Sequence, residues 1–299
     1  MSSDHHRQQP PAPSRSILFV HAHPDDESIN NGATMARYAA EGARVTLVTC
    51  TRGEYGEIMV PELAHLASDR EDRLGEYRET ELAAAVRALG VTDHRFLGEP
   101  GEYHDSGMMG TEGNEHPDAF WQADVEKAAE RLAAVIREAR PQILVTYNEI
   151  GGYGHPDHIQ AHRVALRAVE LVRGTDAEVA RVYFNVMPRS AVTEGLEALR
   201  AAGEAATGFR AVASVDELPY VEPDDAVTAV ERAERYLPAK CAALRAHATQ
   251  VSVTEPFYAL SDLVGMRVFG VEYYRQVRGD LPEPGAPVRE DGLFAGLDR

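Results

Sequence analysis

Two short clusters in the 299-residue chain concentrate side chains that can bind a metal ion and move protons. The first is His21-Ala22-His23-Pro24-Asp25-Asp26-Glu27-Ser28, and the second is Gly151-Gly152-Tyr153-Gly154-His155-Pro156-Asp157-His158. A hydrolytic zinc site needs about three nitrogen or oxygen ligands and one open position for water. His23 and Asp26 are three residues apart, and His155 and His158 repeat that spacing. On a first helical turn each pair shares one face. A His/Asp pair from the first cluster with a histidine from the second makes a two-histidine, one-carboxylate set, which suits zinc and also ferrous iron. Such an ion lowers the pKa of bound water from ~16 to ~7, and a second carboxylate beside the ligand can take the proton. Taken singly, an Asp-Asp-Glu run is an ordinary solvated face and a strand-end histidine an ordinary satisfied polar group. The repetition of His-Pro-Asp in both clusters is what argues for a metal site.

The elements around the clusters must bring them together. Ser16–His21 and Gln142–Tyr147 are continuous apolar runs, as strands covered on both faces would be. Each cluster follows one of these runs directly. Further strands are expected at Arg44–Thr51, His94–Leu97 and Arg181–Met187. Helical spacing marks Asn31–Gly42 and Glu71–Leu89, the latter with Leu74, Tyr77, Leu82, Ala85, Val86 and Leu89 on one stripe. Phe120–Arg140, halted before Pro141, and Asp157–Val172 read as two more helices. Pro24 and Pro156 suit first helical turns, where a missing N–H costs nothing. This alternation predicts an α/β fold: a Rossmann-like open, mostly parallel sheet flanked by helices, with a C-terminal α+β elaboration. Ligands of such sheets gather at the carboxyl ends of strands, near the point where strand order reverses.

No linker or internal repeat divides the chain. A single domain is expected over 16–280, with a core at 16–187 and the elaboration at 188–280. Within the latter, helices are expected near 190–203 and across 224–247, the second interrupted at Pro238. The polar, proline-rich residues 1–15, with His5 and His6, read as a disordered tail, and 281–299 as a loosely ordered one.

Composition narrows the function. With 48 acidic and 30 basic side chains the formal charge is −18, which disfavours phosphate backbones and anionic membrane surfaces as partners. Two cysteines, Cys50 and Cys241, allow neither a disulfide framework nor a cysteine-built zinc site. No apolar run approaches a membrane span or a signal peptide, so a soluble cytoplasmic protein without membrane or nucleic-acid partners is expected. Phosphate-binding glycine loops, G-x-S-x-G and H-E-x-x-H are absent. Gly53-Glu54-Tyr55-Gly56-Glu57 is glycine-rich, but its carboxylates would repel phosphate, and it reads better as a turn holding hydroxyl-binding acids.

The segments FVHAHPDDES (19–28) and GGYGHPDH (151–158) resemble the LmbE-like, PIG-L-type zinc-dependent N-acetylglucosamine deacetylases. The likeness continues through NGATMARY, VTLVTCTRGEYGE, RETELAAAVRALGV, HDSGM and KCAALRAHATQV, and within the family points to the mycothiol-biosynthesis branch. It implies one Zn2+ per subunit on His23, Asp26 and His158, and Asp25 as general base on the attacking water. It further implies His155, as imidazolium, stabilising the oxyanion and protonating the leaving amine, with Asp157 orienting a ligating histidine. Tyr153 would approach the carbonyl oxygen, and Glu57, Arg78 and Asp105 would contact the sugar or inositol. The implied substrate is a small amino sugar, N-acetylglucosamine joined to myo-inositol. The alternatives are a mycothiol S-conjugate amidase or a deacetylase of another N-acetylglucosamine metabolite. Asn30 favours the first reading, since the amidases tend to carry lysine there. A decayed, merely sugar-binding scaffold would have lost a ligand or the base, and none is missing. Simpler readings exist for the outer residues. Arg78 can pair with Glu81 or Asp72 on a helix surface, Glu57 can be only a turn residue, and His247 can balance a helix dipole. His94, His104 and His116 show no partner pattern.

Overall fold

The computed structural model describes residues 15–283 and 285–297. The expected N-terminal tail lies outside the described residues except for Arg15. In chain order the first half runs β1 (Ser16–His21), α1 (Asp26–Ala40), β2 (Arg44–Thr49), α2 (Leu74–Ala88), β3 (Asp93–Phe96), α3 (Val125–Ala139) and β4 (Ile143–Thr146). It continues through a one-turn α4 (Gly151–Gly154), α5 (Pro156–Leu171), β5 (Arg181–Pro188), α6 (Arg189–Ala202) and a one-turn α7 (Glu204–Thr207). The remainder holds β6 (Val221–Glu222), β7 (Ala229–Arg232), α8 (Leu237–Ala246), β8 (Ser252–Thr254), β9 (Phe257–Ala259), β10 (Met266–Arg267) and β11 (Val271–Arg278).

The main sheet has the order β3-β2-β1-β4-β5-β11-β7, with β6 beside β5. The first five strands are mutually parallel, and β11 runs antiparallel to both β5 and β7. β8, β9 and β10 form a separate three-stranded sheet. The fold is thus the expected mostly parallel, helix-flanked sheet. Alternation along β1 explains its unbroken apolar run. Leu18 and Val20 pack with Leu132, Ile136 and Val164 under α3 and α5. Ile17 and Phe19 pack with Met35, Leu82 and Ala243 under α1, α2 and α8.

Several expected boundaries are corrected. Helix α1 begins at Asp26 rather than Asn31, because the Asp25 carbonyl already accepts the N–H groups of Ser28 and Ile29. Phe120–Gln122 is a separate turn, and α3 starts after Asp124, whose carboxylate caps the N–H groups of Glu126 and Lys127. Tyr77 leaves the apolar stripe of α2 and is 36% exposed. The long helix expected over 224–247 is instead β7 followed by α8. Pro238 opens α8 rather than interrupting a helix, the one place where its missing N–H is harmless. The 281–299 segment is not loose at its centre. Leu293 and Phe294 are buried against Tyr38 and Tyr183, and Arg181 donates to the carbonyls of Leu293 and Ala295.

Candidate active site

Strands β1 and β4 are neighbours, while the chain leaves them toward opposite sides of the sheet: β1 leads to β2, and β4 to β5. Strand order therefore reverses between them, and both clusters sit at that point on the carboxyl ends. They line a cavity of ≈ 1090 Å³ that includes His23, Asp25, Asp26, Tyr153, His155 and His158.

Three donor atoms converge there from two loops. His23 Nδ1 stands 3.3 Å from His158 Nε2 and 3.5 Å from Asp26 Oδ2, and His158 Nε2 is 3.4 Å from the same oxygen. Donors held ~2.0–2.1 Å from a tetrahedral ion lie about 3.3–3.4 Å apart, so this triangle fits a small divalent cation. The far side of each ring is also fixed. His158 Nδ1 donates to the Gly151 carbonyl at 3.1 Å, which leaves Nε2 as the lone-pair nitrogen. His23 Nε2 faces Asp157 Oδ2 at 3.1 Å and Asp105 Oδ1 at 3.7 Å, so Nδ1 is the free ligand atom. Such outer carboxylates set ring orientation and raise ligand basicity. Burial opposes charge at Asp26, but His158 and His23 outweigh it and hold its carboxyl well below the usual range. His155 also lies close enough to join His23 and His158 in a ligand group.

Asp25, between His23 and Asp26 in the chain, carries an unusual backbone, φ 127 and ψ −32. A non-glycine residue there costs on the order of 1–3 kcal/mol and persists only where surroundings enforce it. Its N–H donates to Glu27 Oε2 at 3.0 Å. Its carboxylate caps nothing and sits 3.3 Å from Arg78 Nη2. Burial, opposed by Arg78 and reinforced by Asp26, pushes its carboxyl up to about 6. Arg78 is buried rather than on a helix surface. Its guanidinium donates to the carbonyls of Gly53, at 2.8 Å, and Pro24. Gly53 and Gly56 leave room for it, since a Cβ at Gly53 would lie 2.0 Å from Nη1.

His155 caps α5, its Nδ1 accepting the Asp157 N–H at 3.1 Å. Burial, with His23 and His158 adding to it, pushes its pKa down to about 2. Because Nδ1 uses its lone pair on the Asp157 N–H, the ring in this structure is neutral with its proton on Nε2, where an imidazolium was expected. Tyr153 is 40% exposed and meets His158 edge-on at 5.0 Å, on a loop where Gly151, Gly152 and Gly154 all take positive φ. Asp105 lines the cavity, but its oxygens accept the N–H groups of Tyr55 and Gly107. Glu57 is exposed at the cavity wall.

Sequence reasoning missed several supports. Tyr147 stacks on His158 at 4.2 Å, and its hydroxyl accepts the Ala22 N–H. Ser106 donates to Asp157 through both N–H and hydroxyl. Glu54, not Glu57, is the buried acid of its turn, accepting from Arg52 and the Asp105 N–H. Glu27 is fully buried rather than a solvated member of its run. His247 ends α8 as expected, but its ring bonds Glu27 at 2.8 Å. Glu27 left a local signal in its place directly after the two aspartates, and Glu54 one in its glycine-rich turn.

The sequence profile described as PIG-L, GlcNAc-PI de-N-acetylase, matches residues 18–169. The chain belongs to the PIG-L family. A 1D-myo-inositol 2-acetamido-2-deoxy-alpha-D-glucopyranoside deacetylase of Acidothermus cellulolyticus is 60% identical to this PIG-L chain over 284 residues, covering 95% of it and 96% of the relative. A namesake from Geodermatophilus obscurus is 56% identical, covering 95% and 99%. Among solved structures, an antimicrobial-reagent pseudoaglycone deacetylase superposes with a TM-score of 0.53 at 20% identity, covering 90% and 100%. A 4-carboxy-2-hydroxymuconate hydratase of Pseudomonas putida reaches 0.57 at 17%, covering 91% and 100%. These two structural likenesses concern the fold alone. This PIG-L chain is a hydrolytic enzyme, and among its described residues no helix is long and apolar enough to cross a membrane.

Proposed function

We propose that this chain hydrolyses the acetamide of 1D-myo-inositol 2-acetamido-2-deoxy-alpha-D-glucopyranoside, releasing acetate and the free amine in mycothiol biosynthesis, as a cytoplasmic zinc enzyme. The observation that carries the reading is the triangle of His23 Nδ1, Asp26 Oδ2 and His158 Nε2, with edges of 3.3–3.5 Å. Near-full-length relatives bearing that deacetylase name support the substrate. These three residues would hold the ion, which when bound would polarise the acetyl carbonyl and make water acidic enough to ionise near neutrality. Asp25 accepts the proton of the attacking water and returns it to the departing nitrogen. His155 donates from Nε2–H to the acetyl oxygen as negative charge develops, a donor set in place by its capping bond. Tyr153, on its glycine hinge, closes over the same oxygen. Asp157 keeps His23 aimed. Arg78, Asp105 and Glu57 shape the sugar end of the cavity, the first two mainly by holding the loops that carry Asp25 and Tyr55.

The deciding assay compares acetate release from the glucosaminyl-inositol with cleavage of a mycothiol S-conjugate and of other N-acetylglucosamine metabolites. Turnover of the first should dominate, vanish on chelation and return with zinc. Cleavage of the S-conjugate alone would overturn the substrate assignment. Asp25→Ala should retain zinc and lose ~10²–10⁴-fold in kcat; unchanged turnover would remove Asp25 as the base.

A further inference from the structure

We propose that the buried Glu27–His247 pair is a positioning device that locks Asp25 in its positive-φ conformation and thereby aims its carboxylate into the cavity. The inference rests on Asp25 being the base. Glu27 divides its two oxygens between different tasks. Oε2 accepts the Asp25 N–H at 3.0 Å, whereas Oε1 meets His247 Nε2 at 2.8 Å and accepts the Ser28 hydroxyl. Glu27 and His247 are both 0% exposed.

The choice of residues follows from electrostatics. A backbone at φ 127 survives only if its polar groups find partners in that geometry. The Asp25 carbonyl has them in the first turn of α1, and among the described residues the N–H has only the Glu27 carboxylate. A wholly buried carboxylate in turn requires a cationic or strongly donating partner. His247 provides one from 220 residues away, delivered by the end of α8 where its own N–H is tied to the Leu244 carbonyl. His247 Nδ1 has no hydrogen-bond partner among the described residues, so Glu27 alone orients the ring. On the opposite side Arg78 holds the Pro24 carbonyl. The peptide entering Asp25 is therefore clamped at both its oxygen and its nitrogen. The Asp25 side chain, freed from capping, is left for Arg78 and the cavity.

The test uses the zinc-loaded enzyme and the variants Glu27→Ala, Glu27→Gln, His247→Gln and Asp25→Asn. Misplacement of a reacting group by about 1 Å costs on the order of 100-fold, so Glu27→Ala should lose about that factor in kcat with KM within about threefold. Glu27→Gln keeps an oxygen for the Asp25 N–H, and His247→Gln keeps an N–H for Glu27. Each should keep kcat at least about tenfold above Glu27→Ala and within about tenfold of the parent, and neither empties the buried site, so the comparison with the parent survives if Glu27→Ala does not fold. In an Asp25→Asn background, removing Glu27 should add nothing, because both changes disable one group. A crystal structure of Glu27→Ala should show Asp25 outside the positive-φ region. The proposal is overturned by kcat within about threefold of the parent in Glu27→Ala, by no recovery in the Gln variants, by additive losses with Asp25→Asn, or by an unmoved Asp25 backbone. Full turnover in Asp25→Asn by itself would instead remove Asp25 as the base, which separates the two failures.

Discussion

Asp157 offers the sharpest test of how the site is held together, because it touches a proposed ligand without being one. Its Oδ2 lies 3.1 Å from His23 Nε2 and 2.9 Å from the Ser106 N–H, and Oδ1 accepts the Ser106 hydroxyl. Asp157→Asn keeps an oxygen for His23 and the Ser106 N–H but removes the charge. A hydrogen bond to an ionised group contributes ~1.5–3 kcal/mol and a neutral one ~0.5–1.5, so about 1–1.5 kcal/mol is lost at His23. At ~1.4 kcal/mol per decade that is roughly tenfold weaker zinc binding. Asp157→Ala removes the acceptor altogether and lets the ring turn. Asp105 Oδ1, 3.7 Å from the same nitrogen, can substitute after a small shift, which caps the loss near ~100-fold, the upper end for outer-shell partners. Zinc dissociation constants measured by competition with a chromophoric chelator, on variants whose circular dichroism matches the parent, would report both values. Affinities within threefold of the parent for both variants, or a weaker Asn variant than Ala variant, would refute the reasoning.

Two further outcomes follow from packing. Gly53→Ala places a Cβ 2.0 Å from Arg78 Nη1 at a φ of +70, so it should cost more than ~1 kcal/mol in urea unfolding. It should also lower kcat at least tenfold by displacing the guanidinium beside Asp25, and a neutral result would remove Arg78 from the support of that loop. Leu293→Ala should destabilise the chain by ~2–5 kcal/mol, as for a fully buried leucine; a shift under ~0.5 kcal/mol would return the C-terminal segment to a loose tail.

How much could be read before folding depended on the range of each signal. Strands β1 and β4 were legible because a strand covered on both faces is apolar along its length, as Ile17–Val20 and Ile143–Val145 are, whereas β3, with Asp93, His94 and Arg95, is a half-buried edge strand. Helix limits were less so. Pro238 looked like an interruption because proline marks a boundary without saying on which side the helix lies. The 281–299 segment looked loose because two apolar residues, Leu293 and Phe294, carry no periodicity, although they find a cleft beside Tyr38 and Tyr183.

The sequence by itself determined the donor types, two His-Pro-Asp clusters on strand ends and no cysteine pair. Residue type and short spacing are local properties, so a hydrolytic His/Asp chemistry was already specified. Which atoms meet was decided only by the tertiary structure. His23 and His158 come within 3.3 Å across 135 residues because parallel strands β1 and β4 lie side by side. The acids that looked alike in the Asp25-Asp26-Glu27 run separated for the same reason. Asp26 faces the two histidines, Asp25 faces Arg78, and Glu27 turns inward to His247. Burial and long-range partners, absent from any local pattern, assign three adjacent carboxylates three different environments.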